Sequence, residues 1–323
     1  MPRSSIFFRI FLFMAGISAF VQGNAELFHE PLHLVVPQAP GGATDTLARL
    51  WAQFAGNELG RSVVVDNKAG ANGVVGATYA ARQPANGNTL FLGSVSNLSF
   101  NPFIYKNLSY SPKDFDGISL LAEAPHILIA SKKSGIKNFK DFVDNAKTNP
   151  EKLNFASSGL GNSTHLIMEI MMRMLGIKLT HIPYQGSVAG EVSVIAGNSD
   201  VMVDTLSTAI PQVKAGKVTP LVIIGSARVP DFPDTPTLDE VGLKDFPEPN
   251  WFALVVPAGT PKPVIDKFNE ITVKFLHDDD IRKKLAAIGF SPKPTLPSAV
   301  RDYTERDARV FGPIIQEIGL SNK

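Results

Sequence analysis

The chain is 323 residues long, with a formal net charge of +1, 44% apolar and 19% charged residues, and no cysteine. These proportions describe an ordinary globular protein of about two domains and exclude a nucleic-acid partner held through a basic patch. Disulfides, thiolate metal sites and cysteine nucleophiles are excluded, and the lack of thiols fits an oxidising compartment.

The N-terminus reads as an export signal. Arg3 and Arg9 precede any acid, Ile10 to Val21 is apolar or small, and Gly23-Asn24-Ala25 places small residues before a cut after Ala25. The apolar run of about a dozen residues is shorter than the ~20 a spanning helix needs. Residues 1–25 are therefore expected to be a signal peptide, leaving a periplasmic mature chain of net charge −1. No cysteine follows the apolar run, so a lipid anchor is excluded.

Beyond the signal, short β-branched runs alternate with amphipathic spacings, which predicts an α/β fold with mainly parallel sheets. Strands at 32–36, 63–65 and 90–92 enclose helices at 46–59 and 74–82, the first helix with Leu47, Leu50, Trp51, Phe54 and Leu59 at helical spacing. A second series follows Ala124-Pro125, with strands at 127–129, 153–156, 179–182, 201–203 and 221–224 and helices at 139–146, 164–175 and 189–196. Residues 230–249, rich in proline and acids, read as a surface connection. A last buried strand at 251–256 leads to helices at 263–277, 280–288 and 297–318. The economical arrangement returns this tail to the first lobe. Residues 26–125 with 249–323 then form domain 1 and 126–248 domain 2, with two chain crossings and a hinged cleft. Sites in such sheets lie beyond the carboxyl ends of the strands.

Two loops occupy that position. Pro37 to Asp45 follows a strand and opens a helix, with Gly41 and Gly42 permitting close backbone approach. The helix behind offers unpaired N–H groups and the positive end of its dipole, an anion site that needs no arginine. Ser157 to Ser163 repeats the arrangement in the second lobe with hydroxyl donors added. Facing each other, the two loops would grip an anionic ligand.

Sharper chemistry fails on detail. No Lys-Ser/Thr follows Gly41-Gly42, so there is no Walker loop. Gly159-Leu160-Gly161-Asn162-Ser163-Thr164 lacks the third glycine of a dinucleotide fingerprint, and no ribose-binding acid follows His181 to Tyr184. The Gly-x-Ser-x-Gly elbow is absent, and none of the six histidines pair at metal-ligand spacing. Asp278-Asp279-Asp280 reads as a helix cap. No metal or cofactor is expected.

These loops carry a resemblance. Pro37 to Asp45, Val65 to Gly73, Asn101-Pro102, Leu153 to Gly159, His181 to Gly186, and Trp251-Phe252-Ala253 through Pro257 to Pro261 together resemble the Bug family, the receptors of tripartite tricarboxylate transporters. The likeness runs in order from about Pro31 to the end. It implies a two-lobed, type II-like periplasmic-binding-protein fold of two doubly wound domains that closes on a small carboxylate. Carried over by position, first-lobe contacts come from Gln38, Ala39, Gly41, Gly42, Ala43 and Asp45, with Ser94, Val95 and Ser96. Second-lobe contacts come from Ser157, Ser158, Gly159, His165, Tyr184 and Asp204. Leu160, Asn162 and Gln185 depart from the family pattern, and Leu160 favours a ligand with an apolar or aromatic body. A monomer working with integral-membrane transporter subunits is expected. A ligand-presenting adaptor for a membrane sensor kinase has the same binding chemistry. A secreted hydrolase or isomerase would need His165 to activate a serine.

Overall fold

The computed structural model describes residues 31–225, 228–229, 231–244, 246 and 251–321. The export signal expected at residues 1–25 lies outside the described residues.

The first lobe starts with a mostly buried strand, β1 (Leu32–Val36), followed by α1 (Ala43–Leu59), β2 (Val63–Asn67), α2 (Val74–Ala81) and β3 (Thr89–Ser94). β1 pairs in parallel with β2 and β3, as right-handed βαβ crossovers require. The next strand, β4 (Phe115–Glu123), is absent from the sequence reading because Gly117 and Ser119 interrupt its apolar run. Beyond it the chain crosses to a second lobe of β5 (His126–Ser131), α3 (Phe139–Thr148), β6 (Asn154–Ser157) and α4 (Ser163–Leu175). That lobe continues with β7 (Thr180–Pro183), α5 (Ser187–Ala196), β8 (Val201–Thr205), α6 (Leu206–Lys214) and β9 (Val218–Ile224). α6 is also missing from the sequence reading, since Pro211 breaks its pattern. Then β10 (Trp251–Pro257), α7 (Lys262–His277), α8 (Asp279–Ala287), the short β11 (Ser291–Pro292) and α9 (Pro297–Glu317) complete the described chain.

The strand orders are β11-β4-β10-β3-β1-β2 and β7-β6-β8-β5-β9. Both sheets are mixed, which corrects the expectation of mainly parallel pairing. β10 runs antiparallel between β3 and β4, and β5 antiparallel between β8 and β9. The reason is connectivity. A strand reached through a helix crossover runs parallel to its predecessor, whereas β5 and β10 enter their sheets directly from the other lobe.

Two tryptophans fasten the first lobe. Trp51 Nε1 donates to Thr272 Oγ1 at 3.1 Å, joining α1 to α7, and Trp251 Nε1 donates to Asp307 Oδ2 at 2.5 Å, joining β10 to α9. All four groups are buried, so each indole N–H has the partner its desolvation demands. The acid cluster at 278–280 is a cap: Asp278 accepts from Asp280 N and Ile281 N.

Candidate functional site

β3 ends in a π-helical turn, Ser96–Phe100, that is buried throughout. π turns re-aim side chains and concentrate at functional positions. Here the turn presents Ser94, Val95 and Ser96 to the junction of the lobes, beside Gln38 and Thr44 at the head of α1. Thr44 Oγ1 donates to Gln38 Oε1 at 2.6 Å and so fixes that amide. From the second lobe come Ser158, Asn162 and Ser163 around the start of α4, Ser187 at the start of α5 and Thr205 at the end of β8. The crossing strands supply Ala124, His126, Trp251 and Phe252. These groups surround a narrow cavity of about 30 Å³. Other grooves, such as the trough beside Arg173 and Glu317, are open surface features outside this junction.

The lobes touch directly around this cavity. Asn72 Nδ2 donates to Gly161 O at 3.0 Å, Asn162 Nδ2 donates to Asn72 Oδ1 at 3.2 Å, and Ser163 N donates to Ser96 Oγ at 3.2 Å. Asn72 holds φ 52°, ψ 38°, a left-handed conformation that asparagine tolerates better than most residues. Asn101 and Asn97 also donate to its carbonyl, so the clasp is braced from beneath. The lobes are closed on each other.

Of the residues expected at the site, Gln38, Ser94, Ser96 and Ser158 line the cavity, as does Val95. Ala39, Gly41, Gly42 and Asp45 do not, and Ala43 opens α1. Asp45 instead serves its own loop. Its carboxylate accepts from Gly41 N at 3.0 Å, Arg49 Nε at 2.9 Å and Asn67 Nδ2 at 3.0 Å. Burial opposes its ionisation, but these partners together hold its pKa below the ordinary carboxylate value. Part of the donor set read as free for a ligand is therefore spent internally. Gly41 has φ +89°, which explains the glycine, while a Cβ on Gly42 would meet open space.

In the second lobe, Ser157, Gly159, His165, Tyr184 and Asp204 stand outside the lining. Ser157 Oγ contacts His181 Nε2 at 2.7 Å, and Tyr184 OH donates to Ser193 Oγ at 2.6 Å. His165 Nδ1 accepts Gly161 N–H at 3.0 Å, which leaves Nε2 to face Glu169 Oε1 at 3.2 Å. Its ring stacks on His181 with centroids 3.8 Å apart. Thus His165 supports the loop, and serine–histidine contacts form instead between Ser157 and His181 and, at 3.4 Å in the cavity, between Ser163 and His126. Burial, with His165 alongside, pushes His181 down to about 3, leaving a poor base beside a fully buried hydroxyl. Asp204 is fully buried behind Thr205 and shares a hydrogen bond with Glu191; burial raises both carboxyls, and the neighbouring Asp204 raises Glu191 further.

Leu160 is partly buried against the core and stands outside the cavity lining. Val95, Ala124, Trp251 and Phe252 form the apolar part of the wall. Thr44, Asn162 and Ser163 fall within the two loops singled out in the sequence, whereas His126, Ser187 and Thr205 are lining residues that sequence reasoning misses. Ser187 and Thr205 carry a usable signal, since each begins a helix directly after a strand or strand-to-helix loop.

Two α/β lobes clasped around a cavity of hydroxyls and amides define a solute-binding protein. The profile described as the tripartite tricarboxylate transporter family receptor matches residues 47–320, and the chain belongs to that family. A UPF0065 protein of Bordetella pertussis is 35% identical over 322 residues, spanning 96% of this chain and 95% of its own. The periplasmic binding protein BugD superposes with a TM-score of 0.86 at 31% identity, covering 92% of this chain and 100% of its own. The R. palustris protein Rpa4515, solved with adipate, superposes with a TM-score of 0.88 at 29% identity, with coverage of 92% and 100%.

Proposed function

We propose that this chain is an exported receptor, cut after Ala25, that captures a small carboxylate between its lobes and delivers it to integral-membrane transporter subunits without chemical change. The carrying observation is the composition of the cavity. Hydroxyls of Thr44, Ser94, Ser96, Ser158, Ser163, Ser187 and Thr205, with the amides of Gln38 and Asn162, converge from both lobes. Such neutral donors hold an anion that the apolar wall then covers. Among the described lining residues there is no acid, lysine or arginine, and the one basic ring, His126 beside Ser163, is pushed down to about 4 by burial and is a poor base. The binding of adipate by a structural relative favours the carboxylate class.

Residues 26–125 with 249–323 and residues 126–248 act as the two moving bodies. Ligand bridging them adds contacts available only in the closed form, and that differential shifts the population towards closure. The receptor works as a monomer and needs no cofactor.

The test is a thermal-shift screen of the protein beginning at Glu26 against mono-, di- and tricarboxylates, aromatic acids and amino acids. A ligand at a hundredfold excess over its Kd adds about 2.7 kcal/mol of stability. A large shift with one class of acid is expected, and turnover of any bound acid or silence across the whole panel overturns the proposal.

A further inference from the structure

Among the described residues that line the cavity, one side chain is ionisable, His126. It begins β5, where the chain enters the second lobe, and is 4% exposed. Its Nε2 lies 3.4 Å from Ser163 Oγ, so the ring edge faces the start of α4 and the converging hydroxyls.

We propose that His126 is the group that balances the ligand's charge, taking up a proton from solvent as the carboxylate enters the cavity. The inference rests on the receptor reading above and adds a residue and a linkage to it. The step moves one proton from buffer to an imidazole nitrogen. The ligand remains a carboxylate, and the imidazolium–carboxylate pair adds no net charge to the closed site.

The surroundings support this. In the sheet His126 sits opposite Thr205 of β8 and Ile224 of β9. The neighbouring acid, Asp204, pairs with Ile127 in register and lies on the opposite face with Glu191. On α4, His165 and Glu169 are engaged with Gly161 and with each other. Across the cleft, Asp45 is held by Arg49. Burial alone therefore sets the empty-state ring, pushing its pKa down to about 4 and keeping it neutral. A buried anion without a counter-charge is costly, and among the described lining residues His126 is the side chain that can supply one. A carboxylate at ~4 Å in an effective dielectric of ~20 favours imidazole protonation on the order of a thousandfold. That factor makes the bound ring titrate near neutrality.

The experiment is calorimetric titration of the purified protein with adipate, backed by succinate, malonate and benzoate. It is run at about pH 5.5 and about pH 7.5, where linkage predicts about twenty-fold tighter binding at the lower pH. The same titration in buffers of low and high ionisation enthalpy should show uptake of close to one proton at the lower pH, once the proton released by the acid's own ionisation on binding is added back. His126→Gln retains a neutral donor and should keep only the slope due to the acid's own ionisation. Saturable binding with no proton uptake, or an unchanged slope in His126→Gln, overturns the role of His126 and leaves the receptor reading standing. Failure of every acid to bind overturns both. The buffer comparison uses unaltered protein, so a variant that folds poorly does not spoil the test.

Discussion

Substitution of Gly161 by alanine should weaken ligand binding through a clash felt on closure, separately from its cost to the fold. Gly161 belongs to the second lobe, and a Cβ built on it would sit 2.4 Å from Ile104 Cδ1 of the first lobe, with Ile104 Cγ1 and Cγ2 at 3.4 Å. Ile104 is fully buried, so its terminal methyl has little room to yield. Overpacking of this kind costs about 1–3 kcal/mol, felt only when the lobes meet. Binding should therefore weaken about 5- to 150-fold. Gly161 also has φ +72°, and alanine there costs about 1–2 kcal/mol in open and closed forms alike. For a chain of roughly 300 residues that second cost lowers Tm by about 2–3 °C. The two effects separate in a double variant. Ile104→Val removes the clashing methyl at a cost of about 0.5–1.5 kcal/mol. Gly161→Ala with Ile104→Val should recover most of the affinity while remaining less stable than the parent. Calorimetry for Kd and differential scanning calorimetry for Tm read both quantities. Parental affinity in Gly161→Ala, or no recovery in the double variant, refutes the closure argument.

Asn72→Gly keeps the left-handed backbone but removes the side-chain bonds to Gly161 O and from Asn162; Kd should rise about tenfold or more while Tm moves little, and an unchanged Kd counts against the clasp. Glu191 is expected to tie stability to pH. Its folded pKa is raised to about 10 from 4.5 by burial first and Asp204 second, so the folded state keeps a proton that the unfolded chain releases. Stability must then fall as pH rises above 4.5, by at most about 1.4 kcal/mol per pH unit. Urea midpoints of Glu191→Gln should fall less steeply with pH than those of the parent, and parallel slopes would refute the assignment. Gly42→Ala should leave binding within about twofold, because its Cβ meets nothing within 4 Å.

How far the site can be read from sequence depends on which physical signal carries each residue. Strand-loop-helix junctions announce themselves through periodicity and glycine, and the stretches around Gln38, Ser94 and Ser158 are legible for that reason. His126 gives no such signal, because a histidine at the start of an apolar strand looks like any satisfied core residue. Trp251 and Phe252 are equally hidden inside a buried strand. β4 is illegible because its pairing with β10 depends on a partner more than 120 residues away, which no local pattern encodes.

Asp45, Ser157, His165 and Asp204 look most reactive in sequence, and each is consumed one layer behind the cavity. Asp45 ties Gly41 to Arg49 and Asn67; His165 ties Gly161 to Glu169; Asp204 ties α5 to β8 through Glu191. Their polar atoms hold the loops rigid, and the loops present weaker, uncharged donors to the solute. A cavity so built gains its selectivity from geometry instead of from permanent charge. The supporting layer must then be as exact as the lining. Loss of the His165 nitrogen that accepts Gly161 N–H should displace Gly161, its bond to Asn72 and the start of α4 together, although His165 lies outside the lining.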